Sequence, residues 1–226
     1  MSIKKALLGL VGDKILHPAR IQSVEVLSEN FRLVELFSPV FAKTPWSPGE
    51  KIQLNIGDWN VRTYTPLSID QDKKILRILV FLHGHGPGSI WGSQAKVGDT
   101  VQFLGPRSSL TITETPVLFG DETSIAVATT FQKQFPAARF VFEVSSVTEC
   151  FGVCKRLGLT NFNLIEKSND GSHLKEVFES LQGPEKLILT GSARSIQNLQ
   201  TLSRQANISR VTKNKAYWAT GKAGLD

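Results

Sequence analysis

Arg62-Thr63-Tyr64-Thr65-Pro66-Leu67-Ser68 sets a fixed cation, an aromatic plane and small hydroxyls along one short stretch. Side chains alternate faces in an extended segment, so Arg62, Tyr64 and Pro66 are expected on one side, Thr63 and Thr65 on the other. A guanidinium grips a phosphate through two parallel hydrogen bonds, and a phenol ring lies against a planar heterocycle. Short hydroxyls and backbone amides reach polar ring atoms. The set suits a flavin, and it also describes an ordinary sheet edge, so its surroundings decide.

A second stretch runs His83-Gly84-His85-Gly86-Pro87-Gly88-Ser89-Ile90-Trp91. Glycines there let the backbone approach a ligand, and Ser89 is expected to cap a helix over about 89–95 whose free amides face joined phosphates. A tight connection needing glycine for its turns is the competing reading. His83 and His85 lack a third ligand nearby, so no metal site is expected. A third stretch, Gly120-Asp121-Glu122-Thr123-Ser124, lacks the glycine fingerprint of a dinucleotide fold. A helix start still offers amides and a positive dipole, but the two acids oppose an anion, so nicotinamide or ribose fits better than phosphate. The acids alternatively cap the helix. Cys150 and Cys154, four apart, suit neither a disulfide nor a zinc or iron–sulfur site and are expected as free, partly buried thiols in a reducing compartment. No residue is assigned as a catalytic acid or base.

These stretches need elements to hold them. Segments 20–26, 31–37, 51–56, 59–65, 75–82 and 100–104 alternate apolar and polar residues between Pro, Gly, Asn and Ser turn signals, with 109–113 a further candidate. Residues 1–115 therefore predict an N-terminal six-stranded antiparallel β-barrel interrupted by the helix at 89–95, after a short amphipathic helix at 1–16. Past Pro116 the period changes. Strands at 117–119, 139–144, 162–166 and 186–190 alternate with helices at 122–134, 148–157, 173–181 and 193–205, and 209–218 is extended. Residues 116–226 predict a C-terminal α/β domain with a parallel sheet and right-handed crossovers.

The 226 residues, 41% hydrophobic and 20% charged, suffice for a real core and exclude a disordered chain. No apolar run is long enough to cross a membrane and no cleavable leader is evident, so a cytoplasmic protein is expected. The net charge is +6, and from Thr190 onward six cations face the single acid Asp226. Such a basic rim attracts an anion, a nicotinamide dinucleotide or an anionic metal chelate. No basic helix with a docking motif or aromatic platform accompanies it, so no nucleic acid is expected.

Four pieces in order, Arg62-Thr-Tyr-Thr, the His83–Trp91 stretch with Gly98-Asp99 and Gly105-Pro106-Arg107 behind it, Gly120-Asp-Glu-Thr, and Tyr217-Trp218-Ala-Thr-Gly221, resemble the ferredoxin-reductase superfamily. Within it the chain is most similar to the siderophore-interacting proteins, FAD-dependent ferric-siderophore reductases. The resemblance implies that Arg62, Thr63 and Tyr64 hold the flavin, that Thr65 faces its reactive part and that His83 lies by the flavin or adenine. It further implies that Gly86, Gly88 and Ser89 carry the pyrophosphate, with Trp91 in the same site. Gly120, Asp121 and Thr123 would lie on the nicotinamide side, with Arg194 and Arg204 at the adenylate end of NADPH or NADH. Tyr217 and Trp218 would cover a flavin face, and Lys51, Lys215 and Lys222 would meet the siderophore.

The implied activity is reduction of a ferric siderophore by a monomer, with electrons from NAD(P)H or ferredoxin. The chain departs from the family at Pro66-Leu67-Ser68, where Val-Arg is usual after Tyr-Thr, at Gln53 in place of a lysine, and at Ala219 in place of a basic residue. Two alternatives stand beside it: a general NAD(P)H–flavin reductase serving a protein partner, and a binding protein that keeps the fold without turnover.

Overall fold

The structure, a computed structural model, describes residues 16–57, 60–84, 86–183, 186–206 and 211–221. The helix expected at 1–16 therefore falls, but for Leu16, outside the described residues, as do Trp59, His85, Arg210 and Lys222. The chain divides between Ser109 and Leu110 into two compact units.

The first unit carries strands β1 (His17–Val26), β2 (Phe31–Phe37), β3 (Glu50–Asn55), β4 (Val61–Tyr64), β5 (Pro66–Asp70), β6 (Ile75–Phe81) and β7 (Thr100–Ser108), with helix α1 (Pro87–Gln94) between β6 and β7. They form one antiparallel sheet in the order β4-β3-β7-β1-β2-β6-β5. The period-two pattern explains its core. Val34 and Leu36 of β2, Ile52 and Leu54 of β3 and Leu76, Ile78 and Val80 of β6 turn inward around Phe41 and Phe103. Each such side chain contributes roughly 1.5–3 kcal/mol by leaving water.

Seven strands replace the expected six. The segment opened by Arg62 is not one extended strand: β4 ends at Tyr64 and pairs with β3, whereas Pro66 starts β5, which pairs with β6. Proline explains the break, because it has no N–H for the ladder and restricts the backbone of Thr65 before it. The sheet's two outermost strands are thus consecutive in sequence, one residue apart. No strand forms at 109–113; β7 instead continues past Leu104 to Ser108.

The second unit contains β8 (Pro116–Gly120), β9 (Arg139–Val144), β10 (Phe162–Glu166), β11 (Lys186–Ser192) and β12 (Val211–Trp218), all parallel, in the order β10-β9-β8-β11-β12. Helices α2 (Ile125–Gln134), α3 (Val147–Arg156), α4 (His173–Ser180) and α5 (Ala193–Gln205) connect them. The helix expected from Glu122 begins as a 3-10 turn, Glu122–Ser124, before α2. Central strand β8 is buried throughout, which is why its sequence lacks alternation. Parallel strands bring Asp121, Ser145, Lys167 and Ser192 to one edge of the sheet, where open α/β folds bind ligands. Among the described residues no helix is long and apolar enough to cross a membrane.

Candidate functional site

In the first unit Arg62 and Tyr64 lie on β4 and meet the first turn of α1. A Cβ placed on Gly88 would stand 3.3 Å from Tyr64 Oη and 3.6 Å from Arg62 Cγ, so glycine lets the helix start press against both side chains. Gly92, one turn on, fits α1 to β6, since a Cβ there would be 2.6 Å from Val80 Cγ1. Tyr64 also faces Trp91, ring centroids 6.0 Å apart at 45°. Burial pushes the Tyr64 phenol well above its ordinary range, although the Arg62 charge pulls the other way, so the ring stays neutral. Arg62 Nη1 donates to its neighbour Val61 O at 2.7 Å.

The start of α1 differs from expectation in one respect. Gly86, not Ser89, is the N-cap, Pro87 occupies the first helical position, and no side chain caps the turn. The fixed φ of proline and its missing N–H suit that position, which moves the start two residues forward. Ser89 is buried and its hydroxyl instead accepts from the His83 N–H at 2.8 Å, tying the glycine stretch to the helix. His83 is exposed, with its ring 5.9 Å from Phe81. Thr63 is exposed opposite Gln53, and Thr65 half-buried between β4 and β5. Arg107 of β7 reaches across to donate to Gln53 Oε1, and Lys51 pairs with Arg107 in register. The position where a lysine was missing is thus flanked by two cations from neighbouring positions.

In the second unit the turn after β8 is filled by protein. A Cβ on Gly120 would lie 2.2 Å from Ser124 Cβ, so this glycine serves the fit of helix to strand. Asp121 is fully buried and accepts from Thr123 N at 2.9 Å and from Trp218 Nε1 at 2.6 Å. It caps the 3-10 turn, in line with the capping alternative, and lies over Gly191, where a Cβ would be 2.7 Å from its Cγ. Burial raises its pKa; Lys167, Thr123 and Trp218 pull it back, and Glu122 adds to the rise. Glu122, also buried, accepts from Ser145 N at 2.6 Å and pairs with Lys167 Nζ at 2.6 Å. Burial opposes the charge on Lys167, but Glu122 and Asp121 more than offset it and raise its pKa.

A further set at the same edge escaped the sequence. Glu143 of β9 is buried and joins the starts of two helices, accepting from Ser195 Oγ of α5 at 2.6 Å and meeting His173 Nε2 of α4 at 2.9 Å. Ser168 N donates to His173 Nδ1 at 3.1 Å, which makes that nitrogen an acceptor and leaves Nε2 to donate to the carboxylate. The one available signal was a lone acid inside the apolar run Arg139-Phe-Val-Phe-Glu-Val.

Arg194 and Arg204 are both exposed on α5, in its first and last turns. Ten residues at about 1.5 Å each set their backbones about 15 Å apart along the helix. Lys215, Tyr217 and Trp218 lie half-buried on β12, and the Trp218 indole is engaged by Asp121. Cys150 and Cys154 are free and buried on one face of α3.

Residues 43–110 match the family model of the siderophore-interacting FAD-binding domain. No curated protein sequence matches the chain. Among solved structures, the siderophore-interacting protein SipS from Aeromonas hydrophila superposes with a TM-score of 0.73 at 22% identity, over 92% of this chain and 93% of that one. A siderophore utilization protein from T. fusca gives 0.73 at 19% identity, covering 93% and 95%. Phthalate dioxygenase reductase gives 0.74 at 16% identity over 93% of this chain and 71% of its own. The resemblance seen in the sequence therefore holds: the fold is that of the ferredoxin reductases, and the FAD-binding domain type covers the elements that carry Arg62, Tyr64 and α1.

Proposed function

We propose that the chain is a flavin-dependent oxidoreductase that binds FAD at Arg62, Tyr64 and the start of α1 and reduces Fe(III) held by a siderophore, with electrons from NAD(P)H or ferredoxin. The observation that carries this reading is the meeting of a guanidinium, an aromatic ring and an uncapped helix start at Gly88, inside the segment matched to an FAD-binding domain. A dinucleotide flavin presents a diphosphate and a planar ring system. Arg62 and the free amides of Gly88 and Ser89 suit the first, and the Tyr64 ring suits the second.

When bound, FAD takes up two electrons and passes them on singly, and iron released as Fe(II) holds hard oxygen ligands less well than Fe(III). The residues here bind and orient. Arg62 would offset phosphate charge with the help of the α1 dipole, and Thr65, between the two outer strands, would offer its hydroxyl to the ring. Lys51 and Arg107 offer cations to an anionic chelate. No proton transfer is required of a side chain.

The filled, acidic turn at Asp121 and Glu122 favours a second reading of the donor, in which reduced ferredoxin rather than a nicotinamide dinucleotide supplies the electrons. Purified protein is expected to be yellow, or to become so with added FAD; a colourless preparation that takes up no FAD ends the flavin reading. Ferric-chelate reduction compared with NADH, NADPH and reduced ferredoxin then identifies the donor, and no reduction with any of them leaves a flavin-binding protein without turnover.

A further inference from the structure

The two edges of the parallel sheet differ. Strand β12 forms one edge with Lys213 and Lys215, and its register against β11 slips between Leu187 and Ile188 and again between Gly191 and Ser192. Lysines and irregular register are devices that keep a foreign strand from adding to an edge. Strand β10 forms the other edge with Phe162-Asn163-Leu164-Ile165-Glu166 and has neither. It contains no lysine, proline or glycine, and every residue pairs with β9 in one unbroken register.

The ladder to β9 uses alternate residues of this stretch. Phe140 N donates to Asn161 O at 3.1 Å and Lys167 N to Val144 O at 2.8 Å, so the odd-numbered residues face β9. The N–H and C=O groups of Phe162, Leu164 and Glu166 therefore point out of the sheet edge. Side chains of the same three residues share the face that α3 covers. Phe162 meets Phe151 there, ring centroids 5.8 Å apart, whereas Ile165 packs on the opposite face with Leu174 and Val177 of α4. Phe151 is 51% exposed, and Lys155, one turn on, holds its Nζ 5.6 Å from that ring's centroid and 5.9 Å from that of Phe162. An aromatic pair topped by a cation thus stands at one end of an open ladder, and the exposed acid Glu166 at the other.

We propose that β10 pairs antiparallel with β10 of a second copy of this chain, about a two-fold axis through Leu164, joining the two parallel sheets into one. This register sets Leu164 opposite its own counterpart and Phe162 opposite Glu166 of the second copy. All of these fall in hydrogen-bonded pairs, each of which exchanges two backbone bonds. Side chains directly opposite lie on one face, so Lys155, above Phe162, meets Glu166 of the second copy, and the symmetry repeats the contact. Phe151, Phe162 and Leu164 gather with their counterparts around the axis, which takes the exposed ring out of water. Because the pairing is antiparallel, the carboxyl edges of the two sheets point opposite ways and stay open. The dimer stands in place of the monomer implied by the family resemblance, and it is independent of the flavin reading.

Sedimentation equilibrium of the full-length protein between about 1 and 200 µM is expected to show a monomer–dimer equilibrium, with the micromolar constant of a small interface. Lys155→Glu and Glu166→Lys change exposed side chains, so both variants are expected to keep the wild-type melting temperature. Each sets like charges opposite each other and is expected to weaken the dimer about tenfold. An equimolar mixture of the two variants regains opposite charges at both contacts, so it should form heterodimers with about the wild-type constant. Phe151→Asp should weaken the dimer further than either. A wild type that stays monomeric over this range overturns the proposal and leaves the β10 edge to a strand of another protein. A dimer that the single variants leave unchanged also overturns it, because the contact then lies elsewhere. So does a mixture no tighter than its components.

Discussion

Arg62 and Gly88 illustrate how much turns on single residues. Arg62 bonds through Nη1 to its own strand, and glycine at position 88 lets the start of α1 press against the same side chain. A hydrogen bond to a charged group is worth about 1.5–3 kcal/mol, so Arg62→Ala is expected to weaken FAD about ten- to a hundredfold. Arg62→Lys should recover only part of this, because an ammonium cannot form the paired bonds. Fluorescence titration of FAD measures both, and unchanged affinity in Arg62→Ala would remove the residue from the site. The cysteines make a different point. Burial pushes the Cys154 thiol up to about 12, and burial, Glu122 and Cys154 push Cys150 higher still. A thiol whose folded pKa is raised stays protonated while the unfolded chain ionises, so stability falls as pH rises through the unfolded value of about 8.5. Native protein at pH 8 should therefore resist a thiol reagent until denatured. Urea curves between about pH 8 and 10 should flatten in Cys150→Ala/Cys154→Ala relative to wild type. Reaction of native thiols at pH 8 would refute this.

Elements decide what the residues can do. Strands β9 and β10 and helix α5 lie where their sequences put them: β9 is an apolar run buried almost throughout, and α5 buries Ile196 and Leu199 along one face. The break at Thr65 was visible in the proline yet outweighed by the polar alternation around it. Ser89 carried a capping residue type, but the cap fell to Gly86 because Pro87 had already started the helix. The Glu143–His173–Ser195 and Glu122–Lys167 sets were illegible for another reason: their members lie between 22 and 52 residues apart and meet only because parallel strands end on one edge. Lys167→Met should leave the Glu122 carboxylate buried without its cation and cost the α/β unit about 3–5 kcal/mol. Adding Glu122→Gln to that variant should restore most of the loss, since the buried charge is then gone. Urea denaturation of the two variants compares them, and a single variant as stable as wild type would show that the pair contributes nothing.

Over the whole molecule the net charge is +6, and the cations after Thr190 outnumber the acids six to one. A field of that sign draws in anions from solution, and its reach depends on salt: the screening length falls from about 30 Å at 0.01 M to about 8 Å at 0.15 M. An anionic ferric chelate should therefore lose about tenfold in kcat/KM across that range, in the manner of steered encounters. Its kcat should hold, because the charges act on approach and not on the bound pair. A neutral ferric chelate serves as the control and should show little change in either quantity. FAD must remain bound throughout, which the visible spectrum reports in the same cuvette. Reduction of anionic and neutral chelates with the same salt response would mean that the basic stretch has no part in substrate capture, and that Lys51 and Arg107 act, if at all, at contact range.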